Sequence, residues 1–497
     1  MSTRELNRRL TSVDATFLYT EKPTLPMHVG GCMVYEGHLS LAELIAALDA
    51  RLHLLPRYRQ KVVFPPFGFA HPTWEDDSAF DIRNHAAEIT LPPPGDERAL
   101  SEAGGAAFAG MLDRDHPLWK LIVVHGRSDG NTAVIWKIHH AMIDGVSGVD
   151  LTMVLHDLTA DAPPPEPPAT PWQPRPVPDP LALLQDSVRD RLTEIARVAT
   201  DEAFRFLRPT EIDARIRQLV SALTSSAPNL LRPAPRVPFN GPIGGERRFG
   251  WAEFSFGEFR QIKAALGGTV NDVVLAVIAG GLGRYLRALG VSTTGMELRA
   301  MCPVSMRRPD QRGALGNLVS MIFAPLYVDL PDPVARLVAE REAMERLKSQ
   351  DQAGGLYEMT TLMEQVPPAL AAVAGQLTVP NTLLNTVSTN VPGPQIPLYL
   401  SGRRLIGWYP LLPLAGDVGL CNAILTYDQR LTIGVTTDPR LVPDVWLYVE
   451  CLKASFAELR EAAAKAERAT AGTASTRAPE RAMAGDRLVT GPRPHAG

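Results

Sequence analysis

In the stretch IWKIHHAMIDG, Ile135 to Gly145, two adjacent histidines follow an apolar, β-branched run and precede a turn ending in Asp144-Gly145. Consecutive strand residues point to opposite faces, so His139 and His140 do not readily share one substrate or one metal ion. One imidazole faces packed side chains; the other faces whatever lies beyond the strand end. A histidine at a strand terminus, held by a tight turn, suits general-base chemistry, because its ordinary pKa of about 6.5 leaves it mostly neutral in the cell. Asp144 either reaches back to the imidazole, as in a Ser-His-Asp arrangement, or pairs with an arginine and fixes the turn. Gly145 permits a backbone conformation that other residues avoid. The plainer alternative makes both histidines hydrogen-bonded strand residues and Asp144 the cap of the next helix.

A protein nucleophile is poorly signalled. No GxSxG elbow occurs, and Gly145-Val146-Ser147-Gly148 has the wrong spacing for one. Neither a phosphate-cradling P-loop nor a dinucleotide-binding GxGxxG follows a strand. The histidines do not have the helical spacing of an HExxH metal site, so no metal is expected. A base without a nucleophile of its own activates one on the substrate, a hydroxyl or an amine.

At 497 residues the chain exceeds one ordinary core, which predicts two domains plus linkers. Apolar residues make up 45% and charged residues 21%, a soluble globular composition. The 50 basic and 54 acidic side chains give a net charge of −4, with no general attraction to nucleic acid. Cys32, Cys302, Cys421 and Cys451 are scattered and form no CxxC pair, which suits buried thiols in a reducing compartment. The start, MSTRELNRRL, has no apolar signal core, and no run of about 18 apolar residues occurs. A cytoplasmic protein without a spanning helix is expected; attachment to a lipid surface remains open.

The elements that must carry the histidines read as mixed α/β. Strands are predicted at 31–36, 121–124 and 133–139. An amphipathic helix at 41–53 opens with the capping-box pattern Ser40-Leu-Ala-Glu43. Residues 149–158 read as helical. Ten prolines between Pro163 and Pro180 exclude helix and central strand, which makes this an extended connector. Helix-rich sequence follows to about 224. A second α/β lobe then holds a strong helix from Val270 to Leu289 and strands near 298–304, 319–328, 383–387, 423–427 and 431–435. The division is thus 1–160, 161–235 for the proline-rich connector and helical linker, 236–465, and a disordered tail at 466–497.

HHAMIDG matches the HHxxxDG motif of a superfamily of acyltransferases that includes chloramphenicol acetyltransferase and peptide-synthetase condensation domains. TSVDATFLYTEKPTLPMHVGG, Pro117-Leu118-Trp119, FNGPIGGERRF, Asn271-Asp272, GNLVS and NVPGP narrow the match. With these segments, residues 8 to 462 resemble the bacterial wax ester synthase/diacylglycerol acyltransferase family. The resemblance implies an α/β fold of two chloramphenicol-acetyltransferase-like lobes with a tunnel between them. It implies acyl-CoA as substrate, no cofactor, and diacylglycerol or a long-chain alcohol as acceptor. It makes His140 the base, His139 supportive, and Asp144 with Gly145 structural. Arg307 becomes the partner of Asp144, with Arg308 as the alternative. Because products of such a reaction leave water, a membrane or lipid-inclusion surface is the expected setting.

Asn271, Asn390, Ser388 and Trp119 are tunnel or oxyanion candidates under that resemblance, and each has a plainer role. Thr269 and Asp272 suffice to cap a helix beside Asn271. Asn390-Val-Pro-Gly-Pro is a rigid turn by composition. Trp119 fits a packing unit. Two other readings stand beside the leading one: a condensation-type enzyme that takes its acyl group from a carrier-protein thioester, and a lipid-inclusion-binding protein with no catalysis.

Overall fold

A computed structural model describes residues 8–142, 152–190, 192–193, 233–305, 319–349 and 383–477. The first half opens with helix α1 (Ser12–Thr20), whose N-cap Thr11 accepts the Asp14 backbone N–H. Strand β1 (His28–Tyr35) follows. Helix α2 (Leu41–Asp49) has the Ser40–Glu43 capping box in place, with both reciprocal bonds made. It stops at Asp49 and gives way to a tight turn at Leu52–Leu54. A hairpin of β2 (Gln60–Val63) and β3 (Thr73–Asp76) comes next. Then come β4 (Ala86–Thr90), α3 (Glu97–Ala109), β5 (Trp119–His125) and β6 (Thr132–His139).

The second half contains β7 (Arg248–Ser255), α4 (Phe256–Leu266), α5 (Val270–Ala288), β8 (Leu298–Ser305), β9 (Val319–Leu326) and α6 (Pro333–Ser349). It continues with β10 (Thr386–Pro392), β11 (Tyr399–Leu400), β12 (Arg403–Leu411), β13 (Leu420–Tyr427), β14 (Arg430–Thr437) and α7 (Val445–Arg477). Thr269 and Asp272 form a second capping box at the start of α5. Buried on nearly all sides, α5 is the central helix of this lobe. Its glycines admit close neighbours: a Cβ on Gly281 would lie 2.8 Å from Leu452 of α7.

Two six-stranded sheets result, in the orders β11-β12-β1-β6-β5-β4 and β7-β14-β13-β10-β8-β9. Here the division at residue 236 needs correction, because β11 and β12 leave the second half and join the first sheet. Strand β12 pairs antiparallel with β1, setting Cys32 opposite Tyr409 and Met33 opposite Trp408. RRLIGWYPL does not alternate regularly, and no strand was expected there; nor does a strand pattern carry a record of which sheet edge it completes. The lobes also share a core. Phe249 and Trp251 of β7 bury with Cys32, Leu100, Phe108 and Ile135 of the first lobe, and Trp251 stacks on Tyr409 at 4.4 Å.

Other boundaries moved as well. The strand expected at 383–387 begins at Thr386 and runs through Pro392. Of the helix expected at 149–158, residues 152–155 are helical and 149–151 lie outside the described residues. The expected tail is corrected in part: α7 continues to Arg477, because an alanine-rich segment has high helix propensity even without a periodic apolar stripe. Residues 163–179 carry no regular structure. The connector is nevertheless docked, since Arg59 lies over the Trp172 ring at 4.5 Å and Asp76 accepts the Arg175 backbone N–H.

Candidate active site

Every residue of β6 is buried, and His139 is its last. His140 opens a single 3₁₀ turn, His140–Met142, and is half-buried. Its ring stacks on Phe17 of α1, with centroids 3.9 Å apart and planes 9° apart. Its backbone N–H donates to the Met27 carbonyl at 2.8 Å. The two imidazoles therefore diverge at the strand end, one into packed protein and one onto the turn.

Beneath the turn lies a polar cluster that no local pattern announced. Nδ1 of His139 accepts the Ala141 backbone N–H at 3.1 Å, and its Nε2 lies 3.4 Å from Oε2 of Glu21. Arg114 donates to the same oxygen at 2.9 Å. The other oxygen, Oε1, accepts the Met27 N–H at 3.1 Å and lies 3.3 Å from Nε2 of His28. The Glu21 side chain is only 1% exposed. Burial alone would raise its pKa, but His139 and Arg114 hold it down to about 2. Burial, and after it the charge of Lys137, pushes His28 down to about 2, so its ring stays neutral. Lys137 itself donates to the carbonyls of Ala107 and Gly110 at the end of α3. From the second lobe, Arg247 reaches the Thr24 carbonyl at 3.0 Å and clamps the loop that follows Glu21.

Asp144, Gly145, Arg307 and Arg308 lie outside the described residues. Asn271 and Asn390, far apart in sequence, meet: Nδ2 of Asn390 donates to Oδ1 of Asn271 at 3.1 Å. Asn271 is the second residue of α5, and Asn390 is exposed on β10. Ser388 is buried two residues earlier on the same strand. Trp119 is placed in the first-lobe core. Its Nε1 donates to the Tyr58 carbonyl at 2.9 Å and its ring stacks on His85 at 4.4 Å, so its indole serves packing. Among the described residues no group of three or more His, Cys, Asp or Glu could hold a metal ion. Two clefts lined by described residues lie in the second lobe, one beside Arg299 and Arg346 and one beside Ser255 and Arg430, and neither is lined by His140.

Sequence reasoning missed Glu21, His28 and Arg114. Glu21 falls inside a segment that carried the family resemblance, yet its partners come from β1, from β6 and from the loop before β5. Only folding shows that its carboxylate is buried.

The wax ester synthase/diacylglycerol acyltransferase catalytic domain matches residues 10–274, and the WS/DGAT C-terminal domain matches residues 315–460. A Mycobacterium tuberculosis protein, provisionally named a diacylglycerol O-acyltransferase, is 31% identical over 470 residues, 91% of this chain and 90% of its own. Another from that species, also provisionally so named, is 33% identical over 459 residues, 90% of this chain and 98% of its own. The wax ester synthase/diacylglycerol acyltransferase of Marinobacter aquaeolei VT8 superposes with a TM-score of 0.64 at 25% identity, covering 92% of this chain and all of that one. The first condensation domain of the calcium-dependent antibiotic synthetase shares the fold, with a TM-score of 0.59 at 17% identity over 93% of this chain and 97% of that one.

Proposed function

The chain belongs to the wax ester synthase/diacylglycerol acyltransferase family, and from that premise we propose that His140 is the general base of an acyl-CoA-dependent O-acyltransferase. The acceptor is the hydroxyl of diacylglycerol or of a long-chain alcohol. The observation that carries this is the divergence at the end of β6: His139 is sealed in a polar cluster, while His140 sits half-buried on the turn against Phe17.

The imidazole of His140 takes the hydroxyl proton as the acceptor oxygen attacks the thioester carbonyl. A tetrahedral oxyanion forms and needs hydrogen-bond donors; the Asn271–Asn390 pair and Ser388 are our candidates to line that space. The oxyanion collapses, the carbon–sulfur bond breaks, and the imidazolium returns its proton to the departing CoA thiolate. No acyl-enzyme forms. Holding both long substrates together in a passage between the lobes would supply much of the rate. Asp144 and Gly145 fix the turn, with Arg307 as the carboxylate's partner; these roles rest on the motif.

The reaction runs at a lipid surface, because the acceptor and the ester product both leave water. Among the described residues no single helix is long and apolar enough to cross a membrane. The loop between β2 and β3 offers peripheral contact through the exposed rings of Phe64, Phe67 and Phe69. Phe67 is 80% exposed at a φ of 61°, a conformation bulky residues avoid. The loop is tied to α1, the helix that touches His140, because the Tyr19 hydroxyl lies 3.0 Å from Nδ1 of His71.

The test is an assay of purified protein with palmitoyl-CoA and competing dioleoylglycerol and hexadecanol. General-base assistance is worth roughly 10²- to 10⁴-fold, so His140→Ala should lose about that much turnover. Equal rates for wild type and variant would remove the base assignment. Absence of both esters with wild type would overturn the acceptor class.

A further inference from the structure

We propose that Glu21 is the positioning residue of the His140 turn, gripping the backbone on both sides of the imidazole without touching substrate. The proposal rests on His140 being the base.

One carboxylate reaches the turn by two routes. On the first, Oε1 accepts the Met27 N–H at 3.1 Å, and the carbonyl of the same residue accepts the His140 N–H at 2.8 Å. On the second, Oε2 faces Nε2 of His139 at 3.4 Å, and Nδ1 of that ring accepts the Ala141 N–H at 3.1 Å. The N–H of residue 140 is thus linked to Glu21 through two hydrogen bonds by way of Met27, and that of residue 141 through one hydrogen bond to the His139 ring and an electrostatic contact of that ring with the carboxylate across 3.4 Å. A turn of one 3₁₀ unit makes few hydrogen bonds of its own, so its geometry depends on such outside partners.

The second route works in one tautomer only. A neutral imidazole carries one N–H. The Ala141 N–H aimed at Nδ1 requires a lone pair there, which puts the ring proton on Nε2, facing Glu21. An anion at that position favours this tautomer and disfavours the other. With a proton on Nδ1, the Ala141 N–H would meet another N–H and the turn would lose its cap. Arg114 at 2.9 Å keeps the carboxylate ionised despite its burial. His28, 3.3 Å from Oε1, fills the remaining side.

Two readouts test this. The first uses wild type alone: long-range proton–nitrogen correlation on protein with labelled histidine, the His139 signal being assigned by difference against His139→Gln. The expected result is the Nε2–H tautomer. The Nδ1–H tautomer overturns the proposal however any Glu21 variant behaves. The second compares Glu21→Gln and Glu21→Asp with wild type. A misplaced catalytic group costs on the order of 10²-fold, so Glu21→Gln should lose about that factor in kcat with KM for acyl-CoA unchanged, and Glu21→Asp should recover part of it. A folded Glu21→Gln enzyme with wild-type kcat overturns the proposal, as does a loss spread equally over kcat, KM and thermal midpoint. Should Glu21→Gln fail to fold, the wild-type tautomer decides. If Glu21→Gln and His140→Ala both turn over normally, the general-base reading has failed; if only Glu21→Gln does, this inference alone has.

Discussion

His156 is buried beneath the first sheet with both ring nitrogens engaged: Nδ1 lies 2.8 Å from the Thr152 carbonyl and Nε2 lies 2.8 Å from the Tyr35 hydroxyl. Burial lowers its pKa from 6.5 to about 4, against the opposing bond to Thr152. An unfolded chain therefore binds a proton here that the folded chain refuses. The stabilisation is complete above pH 6.5 and is lost as pH falls from there towards 4. At about 1.4 kcal/mol per pH unit this amounts to up to about 3 kcal/mol. His28 acts in the same direction from the same upper limit. Glu21, held at about 2 against an ordinary 4.5, adds a second loss between those values. Urea midpoints measured from pH 7 to pH 4 should decline, and His156→Gln should be less stable at pH 7 with a shallower decline. An unchanged slope in that variant would contradict the assignment. None of this was visible in the residue types, since an isolated histidine in a sequence gives no sign of what encloses it.

Among elements, the strand that crosses between lobes makes the sharpest demand. Gly434 in β14 faces β12, and a Cβ there would come within 1.9 Å of the Pro410 carbonyl oxygen. Backbone atoms cannot yield as a flexible side chain does, so Gly434→Val should separate β12 from the second sheet. The measurement is thermal midpoint and soluble yield, both expected to fall; a variant with the wild-type midpoint would mean that the strands can part without cost. The β2–β3 loop makes a functional demand instead. Phe67→Asp combined with Phe69→Asp should reduce flotation with phosphatidylcholine vesicles loaded with diacylglycerol while leaving turnover of a detergent-dispersed acceptor intact. Full flotation of that variant would remove the loop from lipid contact. At this scale much was legible in advance. The Ser40–Glu43 capping box and the Thr269 cap could be read from four-residue patterns because their bonds are local, whereas the return bond from Asp272 to the Thr269 backbone is supplied by the structure. The strands β5, β6, β13 and β14 followed from continuous β-branched runs. β7 and β12 were missed because their apolar residues are divided between two lobes and match neither a buried nor a half-exposed template.

At the scale of the molecule, the lobes are joined by exchange as well as by contact. β12 pairs with β1, Trp251 stacks on Tyr409, and Arg247 holds the Thr24 carbonyl. The second lobe is thus part of the scaffold on which Glu21 and the His140 turn rest. By itself the sequence determined two mixed α/β regions and two histidines at a strand end, because periodicity and turn signals are properties of neighbouring residues; the acyl-transfer chemistry came through the family resemblance that HHxxxDG and its companion segments carry. Only the tertiary structure decided that Asn271 meets Asn390, that Trp119 packs in a core, and that Glu21 grips both flanks of His140. Those pairings join residues far apart along the chain. The free energy that makes them, a hydrogen bond between remote amides, the packing of an indole and, for Glu21, burial of a charge among chosen partners, has no counterpart until the chain has folded around them.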